Sequence, residues 1–166
     1  MIKMYYMSFF GILLLLGSAV FLCKSAYSYY DRTLEYYREV LSFLYTVKQK
    51  ISTSSTKITV ILHDMDNLKL LCECGFIKKA GEQGVYTAYL SCEDKFMLDS
   101  EDKNILRGYF ADMGKNMLCA EIENISRCIT QLEAKYQTIM QQTPSKKKVS
   151  STVIICIALL AVILIV

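Results

Sequence analysis

The 166-residue sequence has one proline, seven glycines, one histidine and no tryptophan. So little proline and glycine argues against the many tight turns of a β-sandwich or barrel. The lone histidine, His63, stands in no recognised Ser–His or Cys–His pattern and reads as a surface or half-buried polar group rather than a catalytic base. Neither glycine pattern that cradles phosphate, G-x-x-x-x-G-K-[ST] or G-x-G-x-x-G, occurs. Charge of one sign is also scarce: the net charge is +3, too near neutral to indicate nucleic acid as a partner. Apolar residues, in contrast, are plentiful. They make up 53% of the chain against 21% charged, where soluble domains carry about 45–50% and about 25%. That excludes intrinsic disorder, and the length allows one domain of ordinary size.

The apolar excess is concentrated in two runs without charge. Met4 to Cys23 is 20 residues long, and Val149 to Val166 is 18. A bilayer core about 30 Å thick needs roughly 20 such residues in a helix. The second run is weakly apolar over its first four residues, but it follows Lys146, Lys147 and Lys148, whose long side chains can reach the membrane surface. A cleaved signal peptide is the alternative for the first run. Its length, the lack of an A-x-A site and Lys24 at its end favour a retained anchor. Basic residues set the expected orientation. Lys3 lies outside the first run, whereas Lys24, Arg32 and Lys146 to Lys148 lie between the two. The middle of the chain is therefore expected in the cytoplasm and both termini across the membrane. Tyr5, Tyr6, Tyr27, Tyr29 and Tyr30 bracket the first run, as amphipathic rings do at an interface. Ser8, Gly11, Ser18 and Ala19 give that run a small-residue face on which another helix can pack. Four divisions follow: an anchor at 4–23, a helical domain at 24–142, a basic linker at 143–148 and a second anchor at 149–166.

Between the runs the periodicity is helical. Tyr30, Leu34, Tyr37, Leu41 and Leu44 recur every three or four residues, widened by Val40, Phe43 and Val47, a core-facing stripe. No glycine or proline separates this stretch from the run above, so the two can form one helix. The polar STSST break at Ser52–Thr56 precedes a second helix, with Ile58, Ile61, Leu62 and Met65 on its apolar side. Asp64 or Asp66 can cap a further stretch through Leu68, Leu71 and Phe76, weakened at Gly75. Gly81 and Gly84 mark a loop, and Val85 to Met97 reads as a short helix burying Tyr86, Leu90 and Phe96. A long helix is expected from Asp99 to about Met140. Glu101 and Asp102 lie in its first turn, where the helix dipole favours negative charge, and Gly108 and Gly114 leave room for close contact or a kink. Its later half carries a heptad seam of Leu118, Ile122, Ile125, Ile129, Leu132, Tyr136 and Ile139. Such a seam packs against an antiparallel neighbour or pairs with another chain. The single proline, Pro144, is expected to end this helix. The fold expected is all-α, a cytoplasmic bundle or long helical hairpin of about four helices between two transmembrane helices.

Candidate chemistry is sparse. Cys72 and Cys74 form C-x-C without a second close pair among Cys92, Cys119 and Cys128. Helical positions two apart point about 200° apart, so small structural thiols are expected rather than a zinc site. Cys23 and Cys156 fall in the apolar runs, and cytoplasmic cysteines stay reduced. The acidic cluster from Glu93 to Asp102 is explained by capping a helix start. No catalytic residue, cofactor or metal ligand is expected.

The stretch Leu98 to Gly114, LDSEDKNILRGYFADMG, resembles the family of stage III sporulation protein AB. It matches that family's leucine, acidic pair, Ile-Leu, aromatic and Leu-Gly through Glu101, Asp102, Ile105, Leu106, Phe110 and Gly114. Ile51 to Leu62, ISTSSTKITVIL, resembles the segment after the family's first cytoplasmic helix. The chain departs from the family at Lys57, where proline is usual, and at Met117 and Glu121, where aspartate and glutamine are frequent. KKKVSS replaces the glycines that usually enter the last membrane helix. The resemblance implies likeness to the cytoplasmic domain of the type II secretion inner-membrane platform protein. It also implies a non-enzymatic place in a mother cell–forespore channel complex of endospore-forming bacteria. Partners would be other channel components, including a cytoplasmic secretion-type ATPase, besides the lipid bilayer. The motif residues, with Leu118, Ile122, Ile125, Ile129 and Leu132, then form the candidate interaction helix. Two alternatives remain: a two-anchor scaffold that forms homo-oligomers through its long helix, and a small membrane redox or metal protein using Cys72, Cys74 and Cys128.

Overall fold

From Ser18 to Thr53 the chain contains neither glycine nor proline, so nothing in the backbone interrupts a helix begun in the first apolar run. In the computed structural model, which describes residues 2–53, 65, 67–115 and 117–165, that stretch is part of one 52-residue helix, α1 (Ile2–Thr53). The others are α2 (Lys69–Glu73), α3 (Phe76–Gln83), α4 (Val85–Leu90), a 3-10 turn at Glu93–Lys95, α5 (Ser100–Asp112) and α6 (Leu118–Ile165). Six α-helices and no strand occur among the described residues, so the class is all-α. The expected helix near Thr56, with Ile58, Ile61 and Leu62, lies outside the described residues, as do Lys57, His63, Asp64 and Asp66.

The chain divides into two compact units, Arg32–Ile139 and the pair of segments Met1–Asp31 with Met140–Val166. Within Arg32–Ile139 the core is one cluster. Tyr36, Tyr37, Val40, Leu41, Phe43, Leu44 and Val47 of α1 are all buried. They form one broad face of the helix, while Arg38 and Tyr45 on the opposite side are exposed. Phe76 lies at the aromatic centre. Its ring meets Phe43, Phe96 and Phe110 at centroid distances of 5.4, 5.6 and 6.0 Å, within the range of favourable edge and offset contacts.

Four expectations about the boundaries are corrected. The long helix foreseen from Asp99 to Met140 is two helices, α5 and α6. The break comes at Gly114, whose φ of +79° is left-handed and open to glycine at little cost. Gly108 remains inside α5, and a Cβ there would meet nothing within 4 Å. Pro144 does not end its helix: α6 runs through it to Ile165. A proline removes one backbone bond and crowds the carbonyl four residues earlier. Both Pro144 and Met140 are exposed, so water can satisfy the freed carbonyl. Gly81 lies within α3, and the chain reverses only at Gly84, with φ +86°. Finally, Tyr86 and Leu90 are 40% and 45% exposed, while Val85, Ala88 and Tyr89 fill the core beside Phe96.

In the other unit, side chains of both apolar segments line one apolar groove of about 540 Å³. Leu16, Ala19 and Val20 face it from α1, and Ile155, Ala158 and Leu159 from α6. Ala19 is buried there, as a small residue at a helix contact should be. At Gly11 an added Cβ would meet nothing within 4 Å, so the small-residue face does not pack along its whole length. Asp31 accepts from Lys147 Nζ at 2.5 Å, and the same ammonium lies 5.5 Å from the centre of the Tyr27 ring. Among the described residues only α1 is long and apolar enough to cross a membrane.

Replacement of Phe76 by alanine removes the ring that joins three others and should cost about 3–5 kcal/mol. Gly114→Ala should cost roughly 1–2 kcal/mol through its positive φ alone. Thermal unfolding followed by circular dichroism checks both. Equal losses at the two sites would contradict this ordering.

Candidate functional site

A helix start leaves its first backbone N–H groups without intrahelical acceptors, and two such starts are served here by α1. Leu68, the residue before α2, supplies no side-chain cap. Instead the Glu39 carboxylate accepts from the Leu70 N–H at 3.1 Å and the Leu71 N–H at 3.0 Å. Asp99, at the start of α5, makes no side-chain cap bond either. The Tyr37 hydroxyl accepts from the Asp99 N–H at 3.3 Å and donates to the Asp102 carboxylate. Tyr37 and Glu39 are two residues apart, so they leave α1 about 200° apart. They hold α2 and α5 on different sides of it. Lys135 of α6 completes the corner with an ion pair to Asp99 at 2.9 Å.

Electrostatics fix the proton positions. Burial raises the Asp102 carboxyl above the usual carboxylate range, and the Tyr37 hydrogen bond and Lys135 only partly oppose it. Burial first, and then the bond to Asp102, hold the Tyr37 hydroxyl far above its ordinary value. Tyr37 therefore stays the donor at any ordinary pH.

The residues singled out in sequence are placed as follows. Leu106 and Phe110 lie in the core and Ile105 packs against it. Asp102 is buried on Tyr37, Glu101 is exposed in the first turn, and Gly114 makes the turn after α5. Of the heptad seam, Ile125, Ile129 and Leu132 are buried, with Tyr136 and Ile139 packed against the same core. Ile122 is half-buried and Leu118 is exposed. The central part of the seam thus meets neighbours in its own chain.

The cysteines are separated by environment. Cys74 and Cys92 are buried, with the Cys92 thiol 3.4 Å from the Cys74 carbonyl. Burial raises the Cys74 thiol and pushes Cys128 up to about 12, so both are protonated and poorly nucleophilic at neutral pH. Among the described residues no group of three His, Cys, Asp or Glu side chains could hold a metal ion.

One polar groove stands out, about 240 Å³ in volume, between α5 and α6. Tyr109 and Asn104 line it from α5, and Glu121, Asn124, Cys128 and Gln131 from α6. The Tyr109 hydroxyl and both Glu121 carboxylate oxygens are buried, with no hydrogen-bond partner among the described residues. Burial, and then the charge of Glu121, raise the Tyr109 hydroxyl far above its usual value. Sequence reasoning placed Glu121 only as a departure from a family pattern, and it missed Glu39. For Glu39 the sequence carried only a weak signal: a carboxylate at the edge of the apolar arc of α1, one turn before Phe43.

Glu39→Gln replaces one of two acceptors with a donor facing an N–H group, and should cost about 1–3 kcal/mol in unfolding experiments. A melting temperature equal to wild type would contradict the capping role. The raised folded value of Asp102 has a definite sign. Its contribution to stability is fully present below the ordinary aspartate range and is lost as pH rises through the raised value. Unfolding of wild type and Asp102→Asn between about pH 3 and pH 7 should therefore diverge, with wild type losing ground as pH rises over that window. Parallel profiles would refute it.

Comparison with known proteins adds the family. The model of stage III sporulation protein AB matches residues 8–166. No curated protein and no solved structure matches the chain. The match includes both the Leu98–Gly114 stretch that forms α5 with its two ends and nearly all of α1 and α6, and on that coverage the chain belongs to the stage III sporulation protein AB family.

Proposed function

We propose that this sporulation-related protein is a membrane-anchored, non-enzymatic assembly component of a mother cell–forespore channel complex. The observation that carries the reading is the outward aspect of both apolar segments. In their unit, Leu13, Leu14, Val20 and Phe21 of α1 are exposed, and so are Val153, Ile157, Leu160 and Ile163 of α6. Surfaces of this size are covered in a folded protein by a membrane or a partner. Their charge-free length suits lipid. Lys147, Tyr27 and Asp31 then sit at the ends of the segments, where lysine and tyrosine favour the interface. The basic residues between the segments would place Arg32–Ile139 in the cytoplasm, with both termini across the membrane.

The same reading assigns the helical domain a docking role towards a cytoplasmic secretion-type ATPase or another channel component. Its motif side chains are engaged in holding helices together, and the buried Cys74 and Cys128 thiols are protonated. Both facts support binding over catalysis.

Two measurements test this. Cys119 is exposed in the helical domain. A membrane-impermeant maleimide should modify it in inverted vesicles and not in intact protoplasts. Affinity isolation of the full chain from sporulating cells should recover at least one channel component. Labelling of Cys119 in intact protoplasts, or recovery of no channel component, would contradict the proposal.

A further inference from the structure

We propose that the groove between α5 and α6 receives an arginine side chain of a protein partner, with Glu121 as the anion that binds it. The inference rests on the assembly reading above and names the surface used. Glu121 is only 5% exposed, and neither carboxylate oxygen has a hydrogen-bond partner among the described residues. A buried carboxylate without partners is strongly unfavourable, whereas one that pairs with a cation on binding is not. Its place in the first turn of α6 lets the helix dipole support the charge, but both oxygens stay unbonded. Tyr109, 7% exposed, turns a second unpartnered oxygen into the same groove.

The donor set selects the ligand. Two carboxylates, Glu121 and Asp112, the Tyr109 hydroxyl and the amides of Asn104 and Asn124 line the groove and suit the five N–H donors of a planar guanidinium, which meets a carboxylate in two parallel bonds. A metal ion would want more anionic ligands than two carboxylates, and among the described residues no group of three His, Cys, Asp or Glu side chains could hold one. Arg127 on the rim does not compete, because it is paired with Glu123 at 3.1 Å. The source of the arginine follows from the neighbouring surface. Met117 and Leu118, just before Glu121 in the chain, are 87% and 53% exposed. Glu121 N–H donates to the Met117 carbonyl at 2.9 Å, which ties these residues to the same helix start. A buried charge beside exposed large apolar side chains is the pattern of a protein-binding hot spot, in which arginine is a frequent anchor.

The test uses the full chain in sporulating cells, with Gln131 replaced by the photoreactive residue benzoylphenylalanine. Gln131 is exposed on the groove rim. Irradiation should join the chain to a channel component through a peptide that contains arginine, as read by mass spectrometry. Glu121→Gln should lower that yield at least tenfold, while the purified variant melts at or above the wild-type temperature, since a buried charge has been removed. Three results would overturn the proposal: a cross-linked peptide without arginine, an unchanged yield in Glu121→Gln, or a lower melting temperature that assigns Glu121 to the fold. Glu121→Gln that still recovers channel components at wild-type yield would overturn the groove alone and leave the assembly reading standing. Recovery of none by the wild-type chain would overturn both.

Discussion

Every helix start leaves N–H groups that need acceptors, and in the Arg32–Ile139 unit one helix meets that need for two of the starts. The helix α1 supplies the Tyr37 hydroxyl to the start of α5 and the Glu39 carboxylate to the start of α2. Short helices such as α2, with five residues, have little stability of their own. They persist because a longer element satisfies them and buries their apolar sides. The aromatic cluster around Phe76 depends on the same arrangement, since it joins rings from α1, α3, α5 and the segment after the 3-10 turn.

The stretch that carries the family likeness is therefore a structural device. Leu98 and Leu106 are buried, Phe110 joins the aromatic cluster, Asp102 receives the α1 tyrosine, and Gly114 permits the turn into α6. A charged residue at such a buried position is tolerated because it is hydrogen-bonded. Glu121 is the contrast: equally buried, it bonds to nothing among the described residues. In a fold whose other buried carboxylates serve helix starts, a carboxylate without that service is the natural place for recognition.

Much of this was legible in the residues. The unbroken stripe from Tyr37 to Val47 is a buried helix, as periodicity requires, and the all-α class follows from scarce glycine and proline. What escaped was governed by tertiary contact. The division of the Asp99–Met140 stretch turns on one left-handed glycine, and apolar periodicity carries no signal for the φ of a single residue. Pro144 reads as a helix end by local rules, yet helix-forming sequence on both sides carries α6 through it. Tyr86 and Leu90 have apolar side chains at plausible spacing, but α4 is short and its orientation is set by Tyr89 meeting Phe96 and Phe110. Glu39 and Tyr37 as caps for other helices have no signature along the chain, since their partners lie 32 and 62 residues away.

The helix α1 is the source of acceptors for two helix starts, and amide hydrogen exchange of the full chain in detergent reads this directly. The Leu70, Leu71 and Asp99 amides lie at helix starts, where exchange is ordinarily fast. If Glu39 and Tyr37 hold them, their protection should approach that of amides in the middle of α5 and fall selectively at Leu70 and Leu71 in Glu39→Gln. Exchange at these three positions as fast as in an exposed helix end would contradict the account.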